Sequence, residues 1–248
     1  MCATCGCAGT GVGLAEPHQH GHDHPHDHDH WAAGTETVLI EQQLLAKNDA
    51  LAGRNRDWLR TRGVAAVNLM SSPGSGKTTL LERTIRESDL GSVCVIEGDQ
   101  ETSFDADRIK AAGAPVLQIN TGAGCHLDAE MVGSALRTLD PDRGLVLIEN
   151  VGNLVCPALF DLGEAARVVI MSVTEGTDKP RKYPHIFSSA SLVVLNKIDL
   201  LPYVDFEVER FSRDVRLLNP AAELVQLSAT RGDGLKGWYD WLGELPGR

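Results

Sequence analysis

The stretch Val64-Ala65-Ala66-Val67-Asn68-Leu69-Met70-Ser71-Ser72-Pro73-Gly74-Ser75-Gly76-Lys77-Thr78-Thr79-Leu80 decides the fold. It opens on an apolar run of strand length, passes through a loop of small residues and closes on a helical pattern. That order is the context a phosphate-binding loop requires. Small residues let successive backbone amides face an anion, Lys77 is suited to neutralise β and γ phosphates, and the Thr78 hydroxyl is suited to magnesium. The candidate nucleotide contacts are therefore Gly74, Ser75, Gly76, Lys77, Thr78 and Thr79. Ser71 stands where the usual pattern has glycine, but the Gly76-Lys77-Thr78 core is intact. The alternative, a glycine turn with a purely structural role, is disfavoured by the strand and helix on either side.

Outward from this loop, strand candidates rich in Val, Ile and Leu fall at residues 93–96, 116–119, 145–148, 168–171 and 192–195, separated by helix-compatible segments. Such alternation implies an α/β fold, a mostly parallel sheet flanked by helices, with functional loops at the strand C-terminal ends. Glu97-Gly98-Asp99 follows one strand and Glu149-Asn150-Val151-Gly152 another. Carboxylates there hold magnesium through water or orient an attacking water, so Asp99 and Glu149 join Lys77 as catalytic candidates, against an ordinary capping role. Asn196-Lys197-Ile198-Asp199 follows a further strand and matches the NKxD pattern. A carboxylate at Asp199 accepts from guanine N1–H and its exocyclic amine, a donor pair that adenine lacks, so GTP is favoured over ATP. Ser228-Ala229-Thr230 resembles the final base-binding element SAK, with Thr230 departing from it.

Two loops carry soft donors. Gly122-Ala123-Gly124-Cys125-His126 supplies a thiol and an imidazole, and Cys156 follows Glu149 on the segment best placed to sense γ-phosphate. Adjacent Cys125 and His126 would point to opposite faces of a regular strand, so their joint use needs an irregular loop or a site shared between subunits. Buried cysteine without a ligand role is the competing reading for each, and it is the preferred one for Cys94 within its apolar strand.

Residues 1–35 have no periodic apolar face and are expected to form a flexible tail ahead of a P-loop GTPase domain over 36–248 that includes an N-terminal helical segment. Cys2, Cys5 and Cys7 place soft donors close together, with Gly6 easing the turn between them. Square-planar nickel, tetrahedral zinc and an iron–sulfur cluster all remain compatible with that spacing. His18, His20, His22, His24, His26, His28 and His30 alternate with other residues and suit buffering of nickel, zinc or copper, against a soluble spacer or a tag. A net charge of −11 argues against a nucleic-acid partner. No apolar run of spanning length and no secretory signal pattern is present, so no membrane partner and a cytoplasmic location are expected.

Taken together, the tail, the P-loop, the Gly124-Cys125-His126 element, the segment from Glu149 to Pro157 and Asn196-Lys197-Ile198-Asp199 closely resemble the HypB family of hydrogenase nickel-incorporation GTPases. The resemblance covers essentially the whole chain. It implies the SIMIBI class of P-loop GTPases, a GTP-linked homodimer and nickel delivery to a [NiFe]-hydrogenase large-subunit precursor with a HypA-like nickel chaperone. It maps a high-affinity nickel motif onto Cys2, Cys5 and Cys7, and a nickel or zinc site onto Cys125, His126 and Cys156. A urease-type UreG GTPase is the nearest competitor, and the Cys-rich start points away from it. A nickel-storage protein with secondary GTPase activity is the alternative of a different class.

Metal titration of the full-length chain and of a chain lacking residues 1–35 separates these capacities. Deletion is expected to remove the nickel bound by the tail and to leave binding that depends on Cys125 and Cys156. Truncated protein that binds no metal would eliminate the second site.

Overall fold

The computed structural model describes residues 30–100 and 104–246, with side chains described from residue 42 onward. The chain begins with α1 (His30–Thr61), β1 (Val64–Ser71), α2 (Lys77–Glu87), β2 (Val93–Asp99) and α3 (Phe104–Ala112). It continues through β3 (Val116–Asn120), α4 (Ala129–Leu139), β4 (Gly144–Glu149) and β5 (Ala166–Ser172). The last part holds α5 (Lys179–Lys182), α6 (Pro184–Ser188), β6 (Leu192–Asn196), α7 (Val208–Leu218), β7 (Glu223–Gln226) and α8 (Leu235–Gly243). The strands form a 7-stranded sheet in the order β3-β2-β4-β1-β5-β6-β7. Every pairing in it is parallel.

β1 lies at the centre, and all of its residues are buried because helices cover both faces of the sheet. Alternate β1 residues feed different cores: Ala65, Val67 and Leu69 face one, while Val64 and Ala66 face the other. Asn68 is the polar interruption of this strand, at 0% exposure, and it requires partners inside the protein.

α1 is a single helix that packs along α4. Its buried Asn48 and Asn55 bond to backbone groups at the start of α4 and in the segment before β5: Asn48 donates to the Asp161 carbonyl and accepts from Ala129 N, and Asn55 donates to the carbonyls of Ala129 and Leu162. The helix begins at His30, within the segment 1–35 expected as tail. Among the described residues no helix is long and apolar enough to cross a membrane.

Two strands differ from the expectation for a physical reason. β2 continues through Glu97-Gly98-Asp99, so the acidic motif is part of the strand and Glu97 is 2% exposed. β7 (Glu223–Gln226) carries no continuous apolar run; as a short edge strand it is half wet, and pairing with β6 defines it.

The C-terminal helix closes the core through Trp238, which is fully buried, stacks on Trp241 and donates from Nε1 to Thr84 Oγ1 at 2.8 Å. Trp238→Ala is expected to cost about 3–5 kcal/mol of unfolding free energy, read as a lower urea midpoint at unchanged slope. A loss below about 1 kcal/mol would show that α8 is not part of the cooperative core.

Candidate functional site

The C-terminal ends of β1, β2 and β4 surround a cleft of about 530 Å³ floored by the loop between β1 and α2. Gly76 takes φ 98 at the start of α2, where a side chain would also collide with the Asn196 amide, so glycine is required twice over. Lys77 Nζ donates to Ser71 Oγ at 2.8 Å, across the concave side of the loop. Gly74, Ser75, Thr78 and Thr79 line the same cleft.

Thr78 Oγ1 donates to Glu149 Oε1 at 2.7 Å. Glu149 Oε2 and Glu97 Oε2 are both buried without a hydrogen-bond partner. Burial pushes the Glu149 carboxyl above its usual range, opposed first by the charge of Lys77 and then by the Thr78 hydrogen bond. Glu97 is pushed up to about 8, by burial first and then by the charges of Glu149, Asp99 and Asp105, with Lys77 opposing. Asp99 closes the cleft at the end of β2, where its Oδ1 accepts from Gln100 N at 2.7 Å. These hard oxygen donors, two of them unsatisfied, fit a magnesium ion held with its waters.

The base end is built from three loops. Asn196 donates from Nδ2 to the Ser75 carbonyl at 2.8 Å, while its Oδ1 accepts from Lys197 N at 2.7 Å and Ala229 N at 3.0 Å. This one amide ties the loop that follows β6 to the phosphate loop and to the Ser228-Ala229 turn. Lys197 is left-handed at φ 62 and donates from Nζ to the Gly74 carbonyl at 2.6 Å. Asp199 Oδ1 is buried without a hydrogen-bond partner, which leaves it able to accept from a ligand. Ser228 is buried and its Oγ accepts from Arg231 N, and the Ala229 N–H is committed to Asn196. Both therefore shape the turn.

The thiol and imidazole candidates converge. Ligand atoms of Cys125, His126 and Cys156 all lie within 4.8 Å of one another. Cys125 Sγ is 2.8 Å from Cys156 Sγ and 3.7 Å from His126 Nδ1. The opposed-face difficulty is removed because the loop before α4 is irregular, with Gly122 at φ 55 and Gly124 N turning back onto the Thr121 carbonyl. His126 stacks on Phe160 at 3.9 Å, and burial lowers its pKa against the pull of Asp128, which favours the neutral imidazole that ligates metals. Cys94 is buried in a hydrophobic cluster, in line with a packing role. Cys2, Cys5, Cys7, His18, His20, His22, His24, His26 and His28 lie outside the described residues, as does the side chain of His30.

Sequence reasoning missed Glu97, Asn150 and Phe160. Strand alternation on β2 was the available signal for Glu97, because the parity that buries Val95 puts Glu97 on the same side. Asn150 and Phe160 had none, since their partners are far away in the chain.

This fold and cleft define a P-loop nucleotide-binding protein with a thiol–imidazole cluster beside its phosphate end. Residues 65–226 match the family described as CobW/HypB/UreG, nucleotide-binding domain. Hydrogenase maturation factor HypB of Escherichia coli (strain K12) is 54% identical over 205 residues, spanning 82% of this chain and 71% of that protein. HypB of Azotobacter vinelandii is 56% identical over 207 residues, spanning 82% and 68%. The crystal structure of HypB from Helicobacter pylori in complex with nickel aligns at TM-score 0.76 and 39% identity, covering 79% of this chain and 93% of that one. That of HypB from Archaeoglobus fulgidus aligns at TM-score 0.74 and 44% identity, covering 80% and 98%. The chain belongs to the HypB family.

The raised pKa of Glu97 makes stability depend on pH. Its unfolded value is near 4.5 and its folded value about 8, so folding favours the protonated carboxyl. That contribution is complete below the unfolded value and is lost as pH rises through the folded one. Urea midpoints of the metal- and nucleotide-free protein are expected to fall across this window, and Glu97→Gln is expected to flatten the fall. Equal slopes in both proteins would show that Glu97 ionises freely in the fold.

Proposed function

We propose that the protein is a GTP-hydrolysing nickel metallochaperone that inserts nickel into a [NiFe]-hydrogenase large-subunit precursor, with its His-rich tail as an additional nickel store. The observation that carries this reading is continuity: Glu149, bonded to the phosphate-loop Thr78, begins the connection that ends at Cys156 in the thiol–imidazole cluster. A change at the phosphate end is transmitted directly into the metal end. Similarity to the nickel-bound Helicobacter pylori protein supports nickel as the cargo. Zinc suits the same thiolate and imidazole donors.

In this reading the loop amides and Lys77 bind and neutralise the β and γ phosphates, while Asp199 selects guanine. Magnesium, when bound, supplies the positive charge that stabilises charge developing on the phosphates. Thr78, Glu149 and Glu97 would hold it, and Asp99 would orient the attacking water. Loss of the γ-phosphate releases the segment after Glu149 and resets affinity for partners. Those partners are a second copy of the chain, assembled with GTP, a HypA-like nickel chaperone and the hydrogenase precursor, met in the cytoplasm.

Nickel transfer to the precursor, measured with GTP, GDP and a non-hydrolysable GTP analogue, tests the reading. Transfer is expected to need hydrolysis, and Lys77→Ala is expected to abolish turnover and lower transfer by at least about 100-fold. Transfer at one rate in every nucleotide state, with capacity set by the tail histidines, would replace it with nickel storage. Unchanged hydrolysis in Lys77→Ala would remove the phosphate-loop assignment.

A further inference from the structure

His126 is held from two sides by one hydrogen-bonded chain that runs through the centre of the sheet. On one side, Leu127, the next residue, donates its N–H to Asn150 Oδ1 at 3.1 Å. The side chain of Leu127 is fully buried against Gly98, where an added Cβ would lie 2.8 Å from it. Leu127 is thus wedged between the ends of β2 and β4. Asn150 also accepts from its neighbour Val151 N at 3.0 Å, and its own N–H bonds to the Leu69 carbonyl beside Glu149. Its orientation is set, because both donors facing Oδ1 are backbone N–H groups.

From Asn150 the chain runs inward. Nδ2 donates to Asn68 Oδ1 at 3.1 Å, and Asn68 Nδ2 faces Glu164 Oε1 at 3.4 Å. Glu164 accepts from Arg167 Nε at 2.7 Å and from Leu162 N at 2.7 Å. Arg167 then spans to the carbonyls of Ala158 and Phe160, at 3.4 Å each. Phe160 is the ring stacked on His126, so the chain closes on the residue it left. Asn68, Asn150 and Glu164 are 0%, 1% and 7% exposed, which leaves little water to substitute for a broken link.

The geometry points to Asn150 as the positioning residue that couples the nucleotide cleft to the Cys125, His126 and Cys156 cluster. Asn68, Glu164 and Arg167 form the return arm of the same relay. A shift of the β4 end on nucleotide exchange displaces the Asn150 amide, and with it both Leu127 and, through Arg167, Phe160. The imidazole is moved against the thiols from both faces at once. The inference rests on the reading of the cleft as a GTP site and of the cluster as a nickel site.

The test uses the full-length chain with Cys2→Ser, Cys5→Ser and Cys7→Ser, so that nickel–thiolate charge-transfer absorption reports on the Cys125 and Cys156 cluster. Nickel(II) is titrated with GDP and with a non-hydrolysable GTP analogue, and the ratio of the two affinities is the readout. In the parent chain that ratio is expected in the range of about 5- to 150-fold. Asn150→Ala removes the clamp. Asn68→Leu breaks the return arm without touching nucleotide or thiols. Arg167→Lys keeps a cation for Glu164 but gives up the paired carbonyl bonds, and it serves should Asn68→Leu fail to fold. In each variant the ratio is expected within about twofold of unity, with affinity for the GTP analogue preserved in Asn68→Leu and Arg167→Lys. Variants that keep the parent ratio would overturn the relay and leave the switch reading standing. A parent ratio of one would overturn the switch reading, and the relay with it.

Discussion

Glu97 and Glu149 occupy paired positions on β2 and β4 and are almost fully withdrawn from water, each with one oxygen lacking a hydrogen-bond partner. The charge of Lys77 opposes the negative charge of both, with Arg108 adding to it at Glu149. Neighbouring carboxylates in a dry site favour protonation or a counter-ion. The folded chain therefore presents a cleft short of positive charge, at the place where the phosphate loop would deliver a nucleotide and its metal. Parallel topology imposes this arrangement. It gathers the C-terminal ends of β1, β2 and β4 at one edge, so residues distant in the chain become neighbours around one cavity.

The cluster of Cys125, His126 and Cys156 inherits its geometry from the same edge. Its loops leave β3 and β4, and neither runs as regular structure until α4 or the short 3-10 turn Cys156–Leu159 begins. Among the described residues no strand ladder fixes such segments. Beyond a few backbone bonds where they leave the strands, they are held by side chains, above all by the Asn150 amide, and by the stacking of His126 on Phe160. Segments fastened by a few buried side-chain bonds have alternatives close in energy, whereas the sheet beneath them does not. The phosphate loop and the loop after β6, by contrast, are tied to each other by the Asn196 amide.

Most of the fold was legible because its signals are local. The apolar runs at β1, β2, β4, β5 and β6 mark strands buried on both faces, and the Gly76-Lys77-Thr78 and Asn196-Lys197-Ile198-Asp199 elements carry their chemistry within a few residues. β7 was illegible because a four-residue edge strand ending in Glu223 and Gln226 has no pattern of its own. Glu97 was passed over in favour of Asp99 because its burial follows from β2 extending past the apolar run, and pairing with β3 and β4 makes it do so.

By itself, the amino-acid sequence determined the α/β class, the phosphate and base motifs and the identity of the soft donors, since each depends on spacing between near neighbours. Tertiary structure alone decided that Cys125 and His126 meet Cys156, that Glu97 is driven into a dry site beside Glu149, and that Asn150 and Arg167 hold the loops carrying these three residues from opposite ends of one buried chain. The physical reason is common to all three. Each is a contact between segments far apart in the chain, and its energy exists only once the sheet has set their distance and removed the water between them.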